Sequence, residues 1–137
     1  MFIRYSGQTK PEYYPKTGST VFANGSAITP DGAGAFQPAS TGEPVTAVIM
    51  TNILSTDADF AANTKELCDD VTNSEDVFQA DVEVGTLTAA LVGTYVNLNS
   101  ATGIDVTAST NKDVFIVGYI SPSVALIKFN KTSVVNG

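Results

Sequence analysis

At 137 residues, 43% of them hydrophobic and with a mean hydropathy of +0.11, the chain is long enough for one domain with its own core and too apolar to be wholly disordered. It contains no histidine, so the commonest general base and the commonest metal ligand are missing, which lowers the expectation of an enzyme. A net charge of −7 disfavours nucleic acid as a partner, because phosphate binding depends on clustered Lys and Arg.

The charge is unevenly placed. Residues 1–18 hold Arg4, Lys10 and Lys16 against Glu12 alone, whereas residues 57–83 hold nine acids against Lys65. Val, Ile and Thr supply 40 residues, and their branched Cβ suits a pleated sheet. The single cysteine, Cys68, cannot form an intrachain disulfide, so no oxidising compartment is required. No apolar stretch follows Met1–Gly7 as a secretory signal needs, and no run approaches the ~18 residues of a membrane helix. No membrane partner is therefore expected.

Residues 1–17 read as an extended N-terminal arm. Tyr5, Tyr13 and Tyr14 alternate with Gly7, Lys10, Pro11, Pro15 and Lys16, and the two prolines bar a helix. Such a segment either frays or lies along a partner, where tyrosines cover area at small entropic cost. A short strand at 20–22 and a hairpin from 27–29 and 35–37 follow, with Pro30-Asp31-Gly32 at the turn. Residues 45–53 form a firmer strand, apolar on both faces and hence covered on both. Residues 54–76 read as an acidic loop insertion with a short helix over 61–68, and the mutual repulsion of its acids favours an outward, solvated position.

Beyond Val77 the sheet signal strengthens. Phe78, Ala80, Val82 and Val84 alternate with Gln79, Asp81 and Glu83, which predicts a half-buried strand. A single helical turn is expected over 88–93, with Thr86 or Thr88 as N-cap and Gly93 just past the end. Short strands at 95–98 and 103–106 precede the clearest hairpin, 113–120 with 123–130 around Ser121-Pro122. About eight short strands with frequent turns indicate an all-β sandwich or barrel occupying 18–137.

Catalytic constellations are scarce. Residues 69–76 are oxygen-rich but lack the spacing, central Gly and bidentate Glu of a calcium loop, so a solvated loop is the better reading. Asp57 with Asp59, or Asp81 with Glu83, could form a carboxylate pair for glycoside hydrolysis; the second pair lies opposite the apolar face, and no Trp platform exists. Ser and Thr have no His to activate them, and the acids beside Cys68 work against a thiolate. Gly32 and Gly34 fit a hairpin turn better than a phosphate loop. No cofactor and no metal is expected.

The cadence Phe36-Gln37-Pro38-Ala39, then Thr41-Gly42-Glu43-Pro44-Val45-Thr46-Ala47-Val48, resembles the N-terminal cassette of capsid decoration (cement) proteins of tailed bacteriophages. Leu87-Thr88-Ala89-Ala90-Leu91-Val92-Gly93 is similar to that family's turn between barrel strands, and the pair 115–119 and 124–129 to its final hairpin. The resemblance runs in order over roughly residues 18–130, and residues 54–76 depart from it by their length and acidity. It implies a non-enzymatic β-barrel, tulip-like in some members, on the outer surface of the virion capsid. The partners it implies are the major capsid protein and the chain itself, as a homotrimer. The arm would run onto neighbouring capsid subunits by adding a strand, with Arg4, Tyr5, Lys10, Tyr13, Tyr14 and Lys16 as its binding residues, and the rim at 20–24 would meet the capsid. The alternative is a carbohydrate-binding or adhesive sandwich of a tail fibre or surface protein, with Tyr5, Tyr95 or Tyr119 as the aromatic platform.

Overall fold

The computed structural model describes residues 1–71 and 75–130. Residues 72–74 of the expected acidic loop, and 131–137 at the end of the expected barrel, lie outside the described residues. The described residues form eleven strands: β1 (Phe2–Ser6), β2 (Pro11–Pro15), β3 (Ala27–Pro30), β4 (Phe36–Pro38), β5 (Ala47–Ile49), β6 (Lys65–Asp70), β7 (Val77–Val84), β8 (Tyr95–Ser100), β9 (Gly103–Asp105), β10 (Val114–Ser121) and β11 (Val124–Phe129). One 3-10 turn, Ala89–Leu91, precedes β8.

Five of these strands close a barrel. β7 pairs with β11, β11 with β10, β10 with β8 and β8 with β9, all antiparallel, and β9 returns to β7 in parallel. Closure satisfies strand edges that would otherwise seek partners. One edge of β7 serves two neighbours, β1 along its first half and β9 along its second. The remaining strands form an antiparallel sheet in the order β2-β6-β5-β3-β4. Its outer strands meet at one end, where a bridge joins Lys16 to Phe36 and Thr17 N–H donates to the Phe36 carbonyl at 2.8 Å.

The alternation of β7 explains the barrel core. Phe78 and Ala80 point inward with Val96, Leu98, Ile104, Val114, Ile116, Ala125 and Ile127, while Asp81 and Glu83 face out. Phe129 packs its ring 5.1 Å from Phe2 and 5.4 Å from Phe78. A second core lies within the other sheet, built from Phe22, Ile28, Ala47, Ile49, Ile53 and Cys68. β5 belongs to both: Val48 turns to the barrel core, Ala47 and Ile49 to the second. Apolar residues on both faces of this strand therefore reflect double coverage, as its sequence predicts. The turn before β8 also forms as read, with Gly93 at φ +91° just past its end, although Thr88 makes no side-chain cap.

Three sequence readings are corrected. Residues 1–17 run as two edge strands of the fold, β1 on the barrel and β2 on the second sheet, where an extended arm was expected. Prolines suit β2 because they sit at its two ends and it is an edge strand. Residues 65–70 form strand β6 in place of the expected helix over 61–68, since pairing to both β2 and β5 outweighs a weak helical preference. Residues 20–22 contribute only a single bridge, Phe22 to Ile53.

Phe78 is fully buried, contacts the Phe129 ring and lies under the Arg4 guanidinium, 4.9 Å from its ring centre. Phe78→Ala is expected to cost about 3–5 kcal/mol. Urea unfolding measures this, and an unchanged midpoint would show that the barrel core does not depend on this ring.

Candidate functional site

The six residues assigned to the N-terminal segment separate into two groups. Arg4 is drawn inward. Its Nε and Nη2 donate to the two carboxylate oxygens of Asp69 at 2.8 and 2.7 Å, and Nη1 lies 3.1 Å from Asp76 Oδ1. Arg4 belongs to β1, Asp69 to β6 and Asp76 to the approach to β7, so one guanidinium ties the barrel to the second sheet. The bidentate fork on Asp69 is the geometry in which Arg outperforms Lys. Lys10 completes the cluster: its Nζ donates to Asp76 Oδ2 at 2.5 Å and its backbone N–H to Asp69 Oδ1 at 3.0 Å.

These contacts revise the reading of the acidic middle as a solvated loop. Asp69 and Asp76 are buried against the cations of residues 1–18. Burial alone would raise the Asp76 carboxyl, but hydrogen bonds from Lys10 and Arg4 outweigh it and hold the group below the usual carboxylate range. The hydrogen bond to Asp69 raises Arg4 further above its ordinary value.

Tyr14 and Lys16 also turn inward. Tyr14 donates its hydroxyl to Asp70 Oδ2 at 3.1 Å and packs its ring 4.8 Å from that of Phe36. Burial, reinforced by the Asp70 charge, pushes its phenol up to about 12. Lys16 is 1% exposed, and its ammonium donates to the carbonyls of Asp59 (3.0 Å), Phe60 (3.4 Å) and Ala62. It pins the 57–62 loop over the second core. Tyr5 and Tyr13 remain outside, 57% and 65% exposed. In the rim at 20–24, Val21 faces solvent while Phe22 is buried.

Three of the four carboxylates considered for chemistry, Glu83, Asp81 and Asp57, are occupied structurally. Glu83 accepts hydrogen bonds from Asn99 (2.9 Å), Ser100 (2.7 Å) and Thr102 (2.6 Å), which overcome burial and keep it below the usual range. A general acid needs the opposite shift. Asp81 faces the N-terminal ammonium at 2.8 Å, and Asp57 accepts from Leu54 N–H at 2.8 Å within a turn. Burial pushes the Cys68 thiol up to about 12, against nucleophilic use. Among the described residues, no group of three or more His, Cys, Asp or Glu is placed to hold a metal ion. A groove of about 410 Å³ runs beside β1, with Met1, Ile3 and Met50 among its apolar walls and the paired Arg4 and Asp69 in its lining. No helix among the described residues is long and apolar enough to cross a membrane.

What the sequence reading missed is the pairing of the cationic start with the acidic middle. The signal was present as opposite charge segregated into two segments, each of which looks solvated when considered alone. Comparisons with protein-family models, with curated proteins and with solved structures return no match.

Two predictions follow from the cluster and from Lys16. Because the folded-state Asp76 carboxyl titrates below its unfolded value, its contribution to stability is full above about pH 4 and is lost as pH falls through the lowered folded value. Asp76→Asn should therefore make stability fall less steeply below about pH 4 than in the parent chain, as followed by urea melts across that range. Lys16→Met keeps the stem but orphans the loop carbonyls, and should cost roughly 1–3 kcal/mol, read as a lower thermal midpoint.

Proposed function

We propose that this chain is a non-enzymatic structural protein of a phage virion, binding the outer surface of the head as a trimer and bridging neighbouring major capsid proteins. The observation that carries the proposal is the division of the N-terminal segment. Arg4, Lys10, Lys16 and Tyr14 are spent on internal contacts, whereas Tyr5 and Tyr13 stand out from two edge strands. Exposed tyrosines beside open strand edges are suited to strand addition, in which main-chain hydrogen bonds supply affinity and aromatic anchors supply specificity. The all-β fold and the ordered resemblance over roughly residues 18–130 support the same reading.

Bridging is a multivalent task. Three modest footprints on one trimer raise effective concentration at a capsomer junction and oppose the outward pressure of packaged DNA. Tyr5, Tyr13, Val21 and the rim at 20–24 are the contact residues proposed for the capsid side. Arg4, Lys10, Tyr14 and Lys16 act in this reading by holding the strands that present them.

The test is co-sedimentation with expanded heads assembled from the major capsid protein encoded in the same genome. The double variant Tyr5→Ala/Tyr13→Ala should keep its thermal midpoint, since both side chains are exposed, and bind heads roughly 30-fold more weakly. A parent chain that fails to co-sediment sinks the proposal. The adhesive reading is favoured by one feature, the exposed Tyr95 ring set edge-on to Phe115 at 4.9 Å, and a glycan array reads it directly.

A further inference from the structure

Between the bridge at Phe22 and strand β3 the chain reverses in a tight turn, Ala23-Asn24-Gly25-Ser26. Ser26 N–H donates back to the Ala23 carbonyl at 3.1 Å, and Gly25 sits at φ +87° while Asn24 stays out of the positive-φ region. That is the type II pattern, which calls for glycine at the second central position. Asn24 is exposed, and among the described residues no group bonds its side-chain amide. An asparagine followed by glycine is open to a covalent reaction of the chain on itself. The Gly25 amide nitrogen, which no side chain screens, attacks Asn24 Cγ. The new N–C bond forms as the side-chain nitrogen leaves as ammonia, carrying the proton that the Gly25 nitrogen gives up. Water then opens the succinimide at either carbonyl, giving aspartate or, with the backbone rerouted through the side chain, isoaspartate.

The fold opposes the first step in three ways. The attacking nitrogen must give up its proton, yet Gly25 N–H donates to the Ile49 carbonyl at 2.8 Å. Ring closure requires that nitrogen to eclipse Asn24 Cβ, whereas a ψ of about +120° at the first central residue of a type II turn swings it well away. The turn is also fixed from both sides. Asn24 N–H donates to Asn52 Oδ1 at 2.8 Å, and the Gly25 carbonyl accepts from Phe2 N–H at 2.8 Å. We propose that Asn24 is a modification site that its own turn keeps closed, and that conversion to isoaspartate detaches the start of β1 from the second sheet.

The detachment follows from how closely β1 is built onto this turn. A Cβ at Gly25 would collide with Met1 Cγ, so Met1 and Phe2 lie directly on the turn, and Phe2 continues into the barrel core against Phe129. Isoaspartate adds one methylene carbon, about 1.5 Å, to the backbone between Ala23 and Gly25. Gly25 N–H and C=O then cannot keep both Ile49 and Phe2 in reach while Phe22 stays bridged to Ile53. Ile49 is tied to the turn twice, through its carbonyl to Gly25 N–H and through its own N–H to the Ser26 carbonyl. Phe2 is tied to it by one bond, so that bond is the one released. The inference holds with or without a capsid partner.

Peptide mapping of the full chain in mildly alkaline buffer tests the guard, and separates Asn24 from Asn136-Gly137, the other Asn-Gly pair of the sequence. Conversion at Asn24 should run roughly 30-fold more slowly in native buffer than in about 6 M guanidinium chloride, because only opened molecules react. Asn52→Ala removes the oxygen that holds Asn24 N–H, and should raise the native rate roughly 5-fold with the circular dichroism spectrum unchanged. Hydrogen exchange tests the detachment. Chain purified with isoaspartate at position 24 should exchange its Phe2 amide proton roughly 10-fold faster than the parent. Asn24→Asp, with the same charge and an unaltered backbone, should exchange it at the parental rate. Equal rates in native buffer and denaturant, or a native rate unmoved by Asn52→Ala, overturn the guard, and no conversion in denaturant overturns the site. Parental Phe2 exchange in the isoaspartate chain overturns the detachment. So does Asn24→Asp exchanging as fast as the isoaspartate chain, since charge alone then accounts for the release.

Discussion

The architecture turns on one guanidinium. Arg4 leaves the barrel strand β1, crosses to Asp69 on β6 of the second sheet and reaches Asp76 at the start of β7. Two carboxylates and a cation taken out of water carry a desolvation cost of several kcal/mol per ion, so the cluster is not the source of net stability. Its effect is on arrangement: any packing of the two sheets that parts Arg4 from these acids leaves buried charge uncompensated, which is far more costly than a lost apolar contact. The favourable free energy comes from the two cores, and the cluster selects which juxtaposition of them is allowed.

The two cores solve a shared difficulty, which is how short strands hide their edges. The barrel closes on itself through the parallel β9–β7 pairing. The second sheet cannot close fully with strands as short as β4 and β5, and instead joins its edges at the Lys16–Phe36 bridge. Lys16 then extends into a ring of carbonyls from the 57–62 loop, satisfying backbone groups that would otherwise be stranded over an apolar interior. A lysine is suited to this because its ammonium has three donors and no acceptor.

Much of the barrel was legible in the sequence. The period-two pattern of 78–83 and the hairpin around Ser121-Pro122 each depend on local residue order and appear as read, whereas Val84, expected inward, ends β7 exposed. β1, β2 and β6 were not legible for reasons that differ. In β1 the inward positions are Phe2 and Arg4, so the alternation is broken by a charge whose partners lie far along the chain. In β2 the prolines resemble linker residues unless the strand is known to be an edge. In β6 the run Lys-Glu-Leu-Cys-Asp-Asp looks solvated until Arg4 and Tyr14 are placed beside it. At the candidate site, Tyr5 and Tyr13 lie exposed on β1 and β2, whereas the inward turn of Arg4, Lys10, Tyr14 and Lys16 depends on long-range pairing that no local pattern encodes.

The divided edge of β7 has a consequence for the order in which the molecule can be built. β1 leaves the ribosome before the other described strands, yet the strand it pairs with begins at Val77, and the opposite edge of β7 waits for β11 at Val124. Loop closure over such separations makes strand pairing slow relative to local structure. During synthesis, the apolar and aromatic residues of β1 therefore stay unpaired while the strand they need, and the acids beside it, are still emerging. The charge that later fixes Arg4 serves an earlier purpose in this light: a strand carrying an inward-facing cation is poorly suited to pairing with another nascent copy of itself, which protects the chain until its own carboxylates arrive.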